Sequence, residues 1–188
     1  MHQLWQMWIG GIAPSELKTI QDYCNTLTLS TASIGNNPKV NEEYRSSQVG
    51  WVSRTEEAAK PARDIIWRYI ADANRNAFGF NIDYLADMQY TVYNGTTKDK
   101  YDWHIDTFWA NPTAYDRKLS FVLQLSDPEE YRGGDFLFDP EVPQPNPVDL
   151  KKQGTIIVFP SFLRHRVVPV EYGIRKSLVA WAEGPKFR

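Results

Sequence analysis

Residues 87–106 read DMQYTVYNGTTKDKYDWHID, and this stretch sets the fold class. Residues 87–93 and 101–106 read as short strands, with Asn94-Gly95 between them as a turn signal. The same pattern continues to the end of the chain. Residues 118–125, 135–138, 155–159, 166–170 and 175–181 are further strand-like runs. Turn signals fall at Gly133-Gly134, Pro143 to Pro147 and Tyr172-Gly173. Many short strands at this spacing indicate a β-sandwich or barrel.

Upstream the pattern is helical. Residues 4–9 read as a strand. Pro14-Ser15-Glu16 opens a helix running to about Leu27, with Ser15 as its expected N-cap. Leu17, Ile20, Cys24 and Leu27 recur at helical spacing and mark its core face. Residues 55–78 form a second helical stretch, with Ile66, Tyr69, Ile70 and Ala73 as its apolar stripe. Residues 31–48 are polar, contain Gly35-Asn36-Asn37-Pro38 and read as a long loop of the kind that serves as a lid. Helices first and strands after is the α+β order. At 188 residues the expectation is one domain, with helical support over about 1–84 and a β core over about 85–184.

The chain has three histidines, and two of them sit in a ligand pattern. In a strand, residues i and i+2 share a face. His104 and Asp106 therefore reach one metal together, and His165, just past the run Gly154 to Pro160, closes the site. His2, beside Met1, is incidental. Two histidines and one carboxylate leave coordination positions open, which suits Fe(II) that must bind oxygen and a co-substrate. His-x-Asp alone is a weak motif, and a lone histidine is more often packed than ligating.

Composition narrows the remaining classes. A net charge of −2 gives no reason to expect nucleic acid or an anionic membrane. Cys24 is the single cysteine, which rules out an internal disulfide framework and fits a reducing, cytoplasmic compartment. It reads as a buried helix residue rather than a nucleophile. The segment 1–10 lacks a basic leader and reads as a first strand rather than a signal peptide. No run of about 18 apolar residues is present to span a membrane. Aromatic residues make up 14% of the chain, including seven tryptophans, which suits a well-filled core and an aromatic cleft.

With these residues in hand, the sequence resembles the Fe(II)/2-oxoglutarate-dependent dioxygenases, in their prolyl 4-hydroxylase-like branch. The resemblance runs over about residues 87–181. It is carried by Tyr93-Asn94-Gly95, Tyr101-x-x-His104-x-Asp106, Arg117-x-x-Ser120, Gly133-Gly134-Asp135, Gly154 to Pro160, His165, Pro169-Val170, Gly173-x-Arg175 and Trp181. Order and spacing together are far more specific than any one piece. The resemblance implies a mainly β member of the α+β class, a double-stranded β-helix or jelly roll with supporting N-terminal helices. It implies His104, Asp106 and His165 as iron ligands, and Fe(II), 2-oxoglutarate and O2 as cofactor, co-substrate and oxidant, with ascorbate as reductant. It also implies that Arg175 binds the distal carboxylate of 2-oxoglutarate. The chemistry agrees, since arginine offers a fork of donors that stays charged. Lys176 should point to the opposite strand face, and Arg164 and Arg166 read as rim charges. Tyr93 resembles the family tyrosine near the co-substrate, and could equally be a core aromatic. Asp102 reads as a strand-end polar residue.

Two departures bear on the co-substrate pocket. Family members often have a tyrosine seven residues after the position of Arg117, and here Gln124 stands there. Glutamine still donates a hydrogen bond, so Gln124 is expected to contact the co-substrate. The position after Gly133-Gly134-Asp135, often threonine, is Phe136, which makes the pocket around Arg175 less polar.

For the substrate, the resemblance implies that Tyr101, Arg117 and Trp181 line a proline pocket, and hence that the partner is a peptide or protein containing proline. An aromatic wall suits a pyrrolidine ring, and arginine can bond a peptide carbonyl. Tyr101 and Trp181 read equally as ordinary core aromatics. Related nucleic-acid demethylases usually carry a second arginine near the position of Trp181, so Trp181 and a pI near 5.9 argue against DNA or RNA. The expected reaction is hydroxylation of a C–H bond, foremost of peptidyl proline, with release of succinate and CO2. Residues 31–48 and 107–115 are expected to close over the peptide. A free amino acid or other small molecule is the alternative substrate. A zinc-dependent hydrolase and a non-catalytic jelly-roll binding module are the remaining readings. The hydrolase has no use for Arg175, and the presence of all three ligands and Arg175 argues against a module that has lost activity.

Overall fold

A computed structural model describes residues 3–32, 43–110 and 112–187. Strands β1 (Gln6–Trp8), β2 (Ser30–Thr31), β3 (Arg45–Ser46), β4 (Gln48–Val52), β5 (Tyr84–Leu85), β6 (Met88–Asn94) and β7 (Lys100–His104) come first. Then follow β8 (Tyr115–Gln124), β9 (Tyr131–Gly133), β10 (Phe136–Phe138), β11 (Ile156–Pro160), β12 (His165–Val167) and β13 (Val170–Pro185). Helices are α1 (Pro14–Cys24), α2 (Lys60–Ala73) and α3 (Pro147–Lys151).

The strands form two antiparallel sheets. The larger runs β1-β11-β8-β13-β6-β4-β2, with β5 and β9 also paired to β13. The smaller runs β10-β12-β7-β3. This is a double-stranded β-helix, with α1 and α2 laid on the outer face of the larger sheet.

The period of two along the strands sorts residues between two interiors. On β8, Leu119, Phe121 and Leu123 face the helices and pack with Ile20, Cys24, Ile66 and Ile70. Leu178, Ala180 and Ala182 of β13 join the same layer. The intervening residues face the space between the sheets. There Tyr93, Tyr131, Phe136, Phe138, Ile157 and Phe159 form a second apolar cluster. The buried polar residues Gln89, Thr91, Ser120, Gln124, Arg175 and Ser177 lie on these inward-facing strand positions. A core that admits so many polar groups is built around a site, because buried polar groups must find partners.

Several local expectations are corrected. The N-cap of α1 is Ala13, not Ser15, and no side chain caps it. Pro14, whose fixed φ suits the first helical position, moves the start one residue earlier. The second helical stretch is α2 with a 3-10 turn at Glu57–Ala59 before it and a π turn at Asn74–Phe78 after it. The first half is not only helical support, since β1 to β4 all enter the sheets. Of the expected loop at 31–48, residues 33–42 lie outside the described residues. The rest contains β3 and the start of β4. The expected strand at 166–170 is two strands broken at Val168-Pro169, where proline has no N–H for the ladder. His165 opens β12, one residue before the expected start of that strand. Among the described residues no helix is long and apolar enough to cross a membrane.

Candidate active site

Cross-strand pairing brings the two histidines together. His104 closes β7, and its register partner on β12 is His165. Asp106 lies beyond the end of β7, so pleat alternation is not what aims it. Its backbone N–H, and that of Thr107, donate to the Ser161 carbonyl and turn the chain inward. Asp106 Oδ1 stands 3.7 Å from His104 Nε2, and Oδ2 3.6 Å from His165 Nε2. Metal–ligand bonds of about 2.0–2.2 Å let one ion span donors up to about 4 Å apart, so a single ion fits.

The surroundings prepare these three groups as ligands. His104 Nδ1 donates to the Asp102 carbonyl at 2.7 Å, and His165 Nδ1 to the Leu163 carbonyl at 2.8 Å. Each bond fixes the proton on Nδ1 and leaves the Nε2 lone pair facing Asp106. Burial, joined by the neighbouring His165, lowers the His104 pKa to about 3, so its ring is neutral at pH 7. Burial pushes the Asp106 carboxyl up, but His165, His104, Arg117 and the Ser120 hydroxyl outweigh it and hold it down to about 2. Ser120 Oγ donates to Asp106 Oδ2 at 2.6 Å and sits 2.9 Å from Ser161 Oγ. Phe136 and Phe159 pack on the His165 ring at 5.3 and 4.8 Å between centroids. The set is the one group of metal-competent donors found among the described residues.

The three donors open into a cleft of about 420 Å³ lined by Tyr93, Tyr101, Phe136, Arg175, Trp181 and Arg45, among others. Tyr101 stacks on His104 at 3.6 Å between ring centroids. Arg175 is buried and its Nη1 has no hydrogen-bond partner. Its guanidinium lies 5.4 Å from the Tyr93 ring centre. A buried, unpaired donor on a permanent cation calls for an anion. Gly134, at φ +62°, makes room for it, since a Cβ there would come within 2.9 Å of Arg175 Cδ. Lys176 faces away and is half-exposed, as strand alternation requires.

Other expected residues take different places. Arg117 does not line the cleft; it stacks on Trp181 at 3.8 Å and lies 3.9 Å from Glu183. Gln124 turns its amide to the Tyr131 hydroxyl at 2.7 Å. The Asp102 carboxylate accepts from the N–H of Trp103 and is not among the metal donors. Arg164 and Arg166 lie over Trp103, outside the cleft. Trp109 packs 5.7 Å from Phe187 of the C-terminal arm.

Sequence reasoning missed Arg45, Tyr131 and Trp51. Arg45 is 5% exposed, bonds Ser47 and Gln89, and lies 4.2 Å over the Tyr101 ring. It forms no ion pair among the described residues. Trp51 is 51% exposed and lies 6.3 Å from Trp181. A polar loop reading hid Arg45. Only strand alternation from Val49 to Trp51 could have flagged the tryptophan.

Comparison with known proteins follows the same lines. Residues 88–183 match the family model of the 2OG-Fe(II) oxygenase superfamily. A PKHD-type hydroxylase of Synechococcus sp. (strain CC9311) is 41% identical over 83 residues, 44% of this chain. The match spans only 36% of that relative's length. The crystal structure of a Pseudomonas putida prolyl-4-hydroxylase superposes with a TM-score of 0.72 at 19% identity, over 97% of this chain and 94% of the other. A Trichoplax adhaerens prolyl hydroxylase in complex with a hypoxia inducible factor peptide fragment superposes at 0.71 and 19% identity, over 95% and 83%. At these identities the two structures show the fold alone.

Proposed function

The chain belongs to the 2OG-Fe(II) oxygenase superfamily, and on that premise we propose that it hydroxylates a C–H bond of a peptide, foremost at proline. The superfamily's chemistry takes Fe(II), 2-oxoglutarate and O2. His104, Asp106 and His165 would hold the iron, and Arg175, beside Tyr93, the far carboxylate of 2-oxoglutarate. When bound, this centre supplies the oxidation: one oxygen atom of O2 enters succinate as 2-oxoglutarate loses CO2, and the other enters the substrate C–H bond.

The protein's own contribution is orientation and exclusion. The carbonyls of Asp102 and Leu163 hold both histidine tautomers, and Ser120 holds the carboxylate. Phe136 and Phe159 keep water from the back of His165. Tyr101 and Trp181 wall the cleft beside His104. These two aromatic side chains lining the cleft with the metal ligands are the observation that carries the peptidyl-proline reading, because an apolar aromatic wall suits a pyrrolidine ring. Arg117 acts through Trp181, whose ring it covers.

One observation favours a second reading. Arg45 is a buried cation at the same cleft, and two of its donor groups are committed to neutral partners only. A substrate carboxylate would satisfy it, as in a free amino acid or other small acid.

Succinate formation under Fe(II), ascorbate and air, with and without proline-rich peptides, tests the proposal. Peptide-stimulated turnover with one oxygen atom added to a proline is expected. Turnover stimulated by free amino acids but not by end-blocked peptides would favour the second reading. Unmodified peptides in both cases would sink the proline assignment.

A further inference from the structure

We infer that Tyr131, from β9, supplies the phenolic hydrogen bond to the far carboxylate of 2-oxoglutarate, the role that Gln124 does not fill. The inference rests on the co-substrate reading of Arg175.

Gln124 and Tyr131 meet in a second, smaller cleft of about 230 Å³. It is lined by Gly134, Phe136, Leu150, Lys151 and Arg175 as well. Arg175 and Phe136 border both clefts, so the guanidinium stands where the metal-side space meets this one. Tyr131 is 3% exposed. Its hydroxyl oxygen accepts the Gln124 amide N–H at 2.7 Å. Gly134 lies between Tyr131 and Arg175: a Cβ there would stand 2.9 Å from Arg175 Cδ and 3.6 Å from Tyr131 Cε2. Lys151, the other cation near the ring, lies 5.8 Å from its centre and is committed to Asp135 at 2.6 Å.

The donor and acceptor inventory then decides the matter. Arginine has no acceptor, and the glutamine amide presents its N–H, not its oxygen. The Tyr131 oxygen thus accepts the Gln124 N–H, and its own proton has no acceptor among these neighbours. Arg175 Nη1 is likewise without a partner. Two buried donors, one of them cationic, converge on one small space with nothing to receive them. Leaving such groups unpaired is unfavourable, and one carboxylate, with two oxygens, satisfies both. Gln124 is then a positioning residue. Its N–H occupies the tyrosine oxygen and so turns the O–H outward.

Calorimetric titration of the Mn(II)-loaded protein tests this without turnover. Two ligands are compared: 2-oxoglutarate, and oxalate, which chelates the metal but has no distal carboxylate. Tyr131→Phe should weaken 2-oxoglutarate by about ten- to one-hundred-fold, the range for a hydrogen bond to a charged group, and leave oxalate unchanged. Gln124→Leu should weaken 2-oxoglutarate by a smaller factor, again without effect on oxalate. Unchanged 2-oxoglutarate affinity in Tyr131→Phe, while Arg175→Met loses it, would overturn this inference and keep the co-substrate reading. Equal loss of both ligands in Tyr131→Phe would make the tyrosine merely structural. Wild-type protein that binds oxalate but not 2-oxoglutarate would overturn the co-substrate reading and this inference with it. Melting of each variant without ligand checks that the fold is intact.

Discussion

His104 and His165 are register partners across β7 and β12, and each ring donates Nδ1–H to the carbonyl two residues before it, Asp102 and Leu163. The ring centroids lie 4.2 Å apart. One strand pairing therefore sets the separation of two ligands, and two local backbone bonds set their tautomers. Neither depends on a bound ion.

Asp106 is the third donor, and among the described residues Ser120 is the one side chain whose hydroxyl bonds it. Asp106→Ala should abolish metal binding and turnover together. Ser120→Ala should lower metal affinity by about ten- to one-hundred-fold, as loss of a ligand's outer hydrogen bond does. Titration of metal into the apoprotein reads both. Wild-type affinity in Ser120→Ala would mean that the hydroxyl does not orient the carboxylate.

Arg175→Met should raise the 2-oxoglutarate concentration needed for half-maximal succinate formation by at least about tenfold, since it removes a charged hydrogen-bond donor. Metal affinity should hardly change, because Arg175 is not among the metal donors. Unaltered co-substrate dependence would sink the assignment.

Trp181→Ala should impair peptide hydroxylation more than uncoupled decay of 2-oxoglutarate. Trp51 offers a gentler probe, being half out in solvent against Trp181. Trp51→Ala should keep the melting temperature and raise the peptide KM about tenfold, the scale of one lost aromatic contact of about 1.5 kcal/mol. Equal loss of coupled and uncoupled reactions in Trp181→Ala would assign that ring to packing alone.

Burial pushes the Cys24 thiol up from 9.0 to about 12. The folded state therefore disfavours the thiolate. The stability this group contributes is fully present below about pH 9 and is lost as pH rises towards 12. At pH 8 the thiol should resist alkylation in native protein and react at once in denaturant. Rapid labelling of the native protein, followed by mass, would contradict the packing of α1.

Ile70 of α2 is fully buried against the larger sheet. Ile70→Ala should cost about 2–5 kcal/mol, read by urea unfolding. A loss under about 1 kcal/mol would mean that α2 packs loosely there.

Much of this was legible along the chain. The β-rich second half follows from strand-length runs cut by glycine, proline and asparagine turns. The candidate ligands follow from His104-x-Asp106 and a histidine beside a later strand. Fold class follows from that local order, and the family resemblance it carries implied the cofactors. The short strands β2 to β4 were hidden, because Arg45, Ser46 and Gln48 carry no apolar period and take their conformation from β7 and β6. The N-cap was misplaced by one strong local preference, Ser15, over another, Pro14.

The sequence by itself determined which residues alternate on each strand, and so which chemistry faces inward. Only the tertiary structure decided which inward residues meet. Arg45 reaches the cleft because β3 pairs with β7. Tyr131 reaches Arg175 because β9 pairs with the start of β13, not with its neighbours in sequence. Gln124 is drawn to that tyrosine across the same interior. Spacing along the chain encodes a face. Pairing across long separations depends on burying the two sheets and the helices together, and no window of sequence carries that sum.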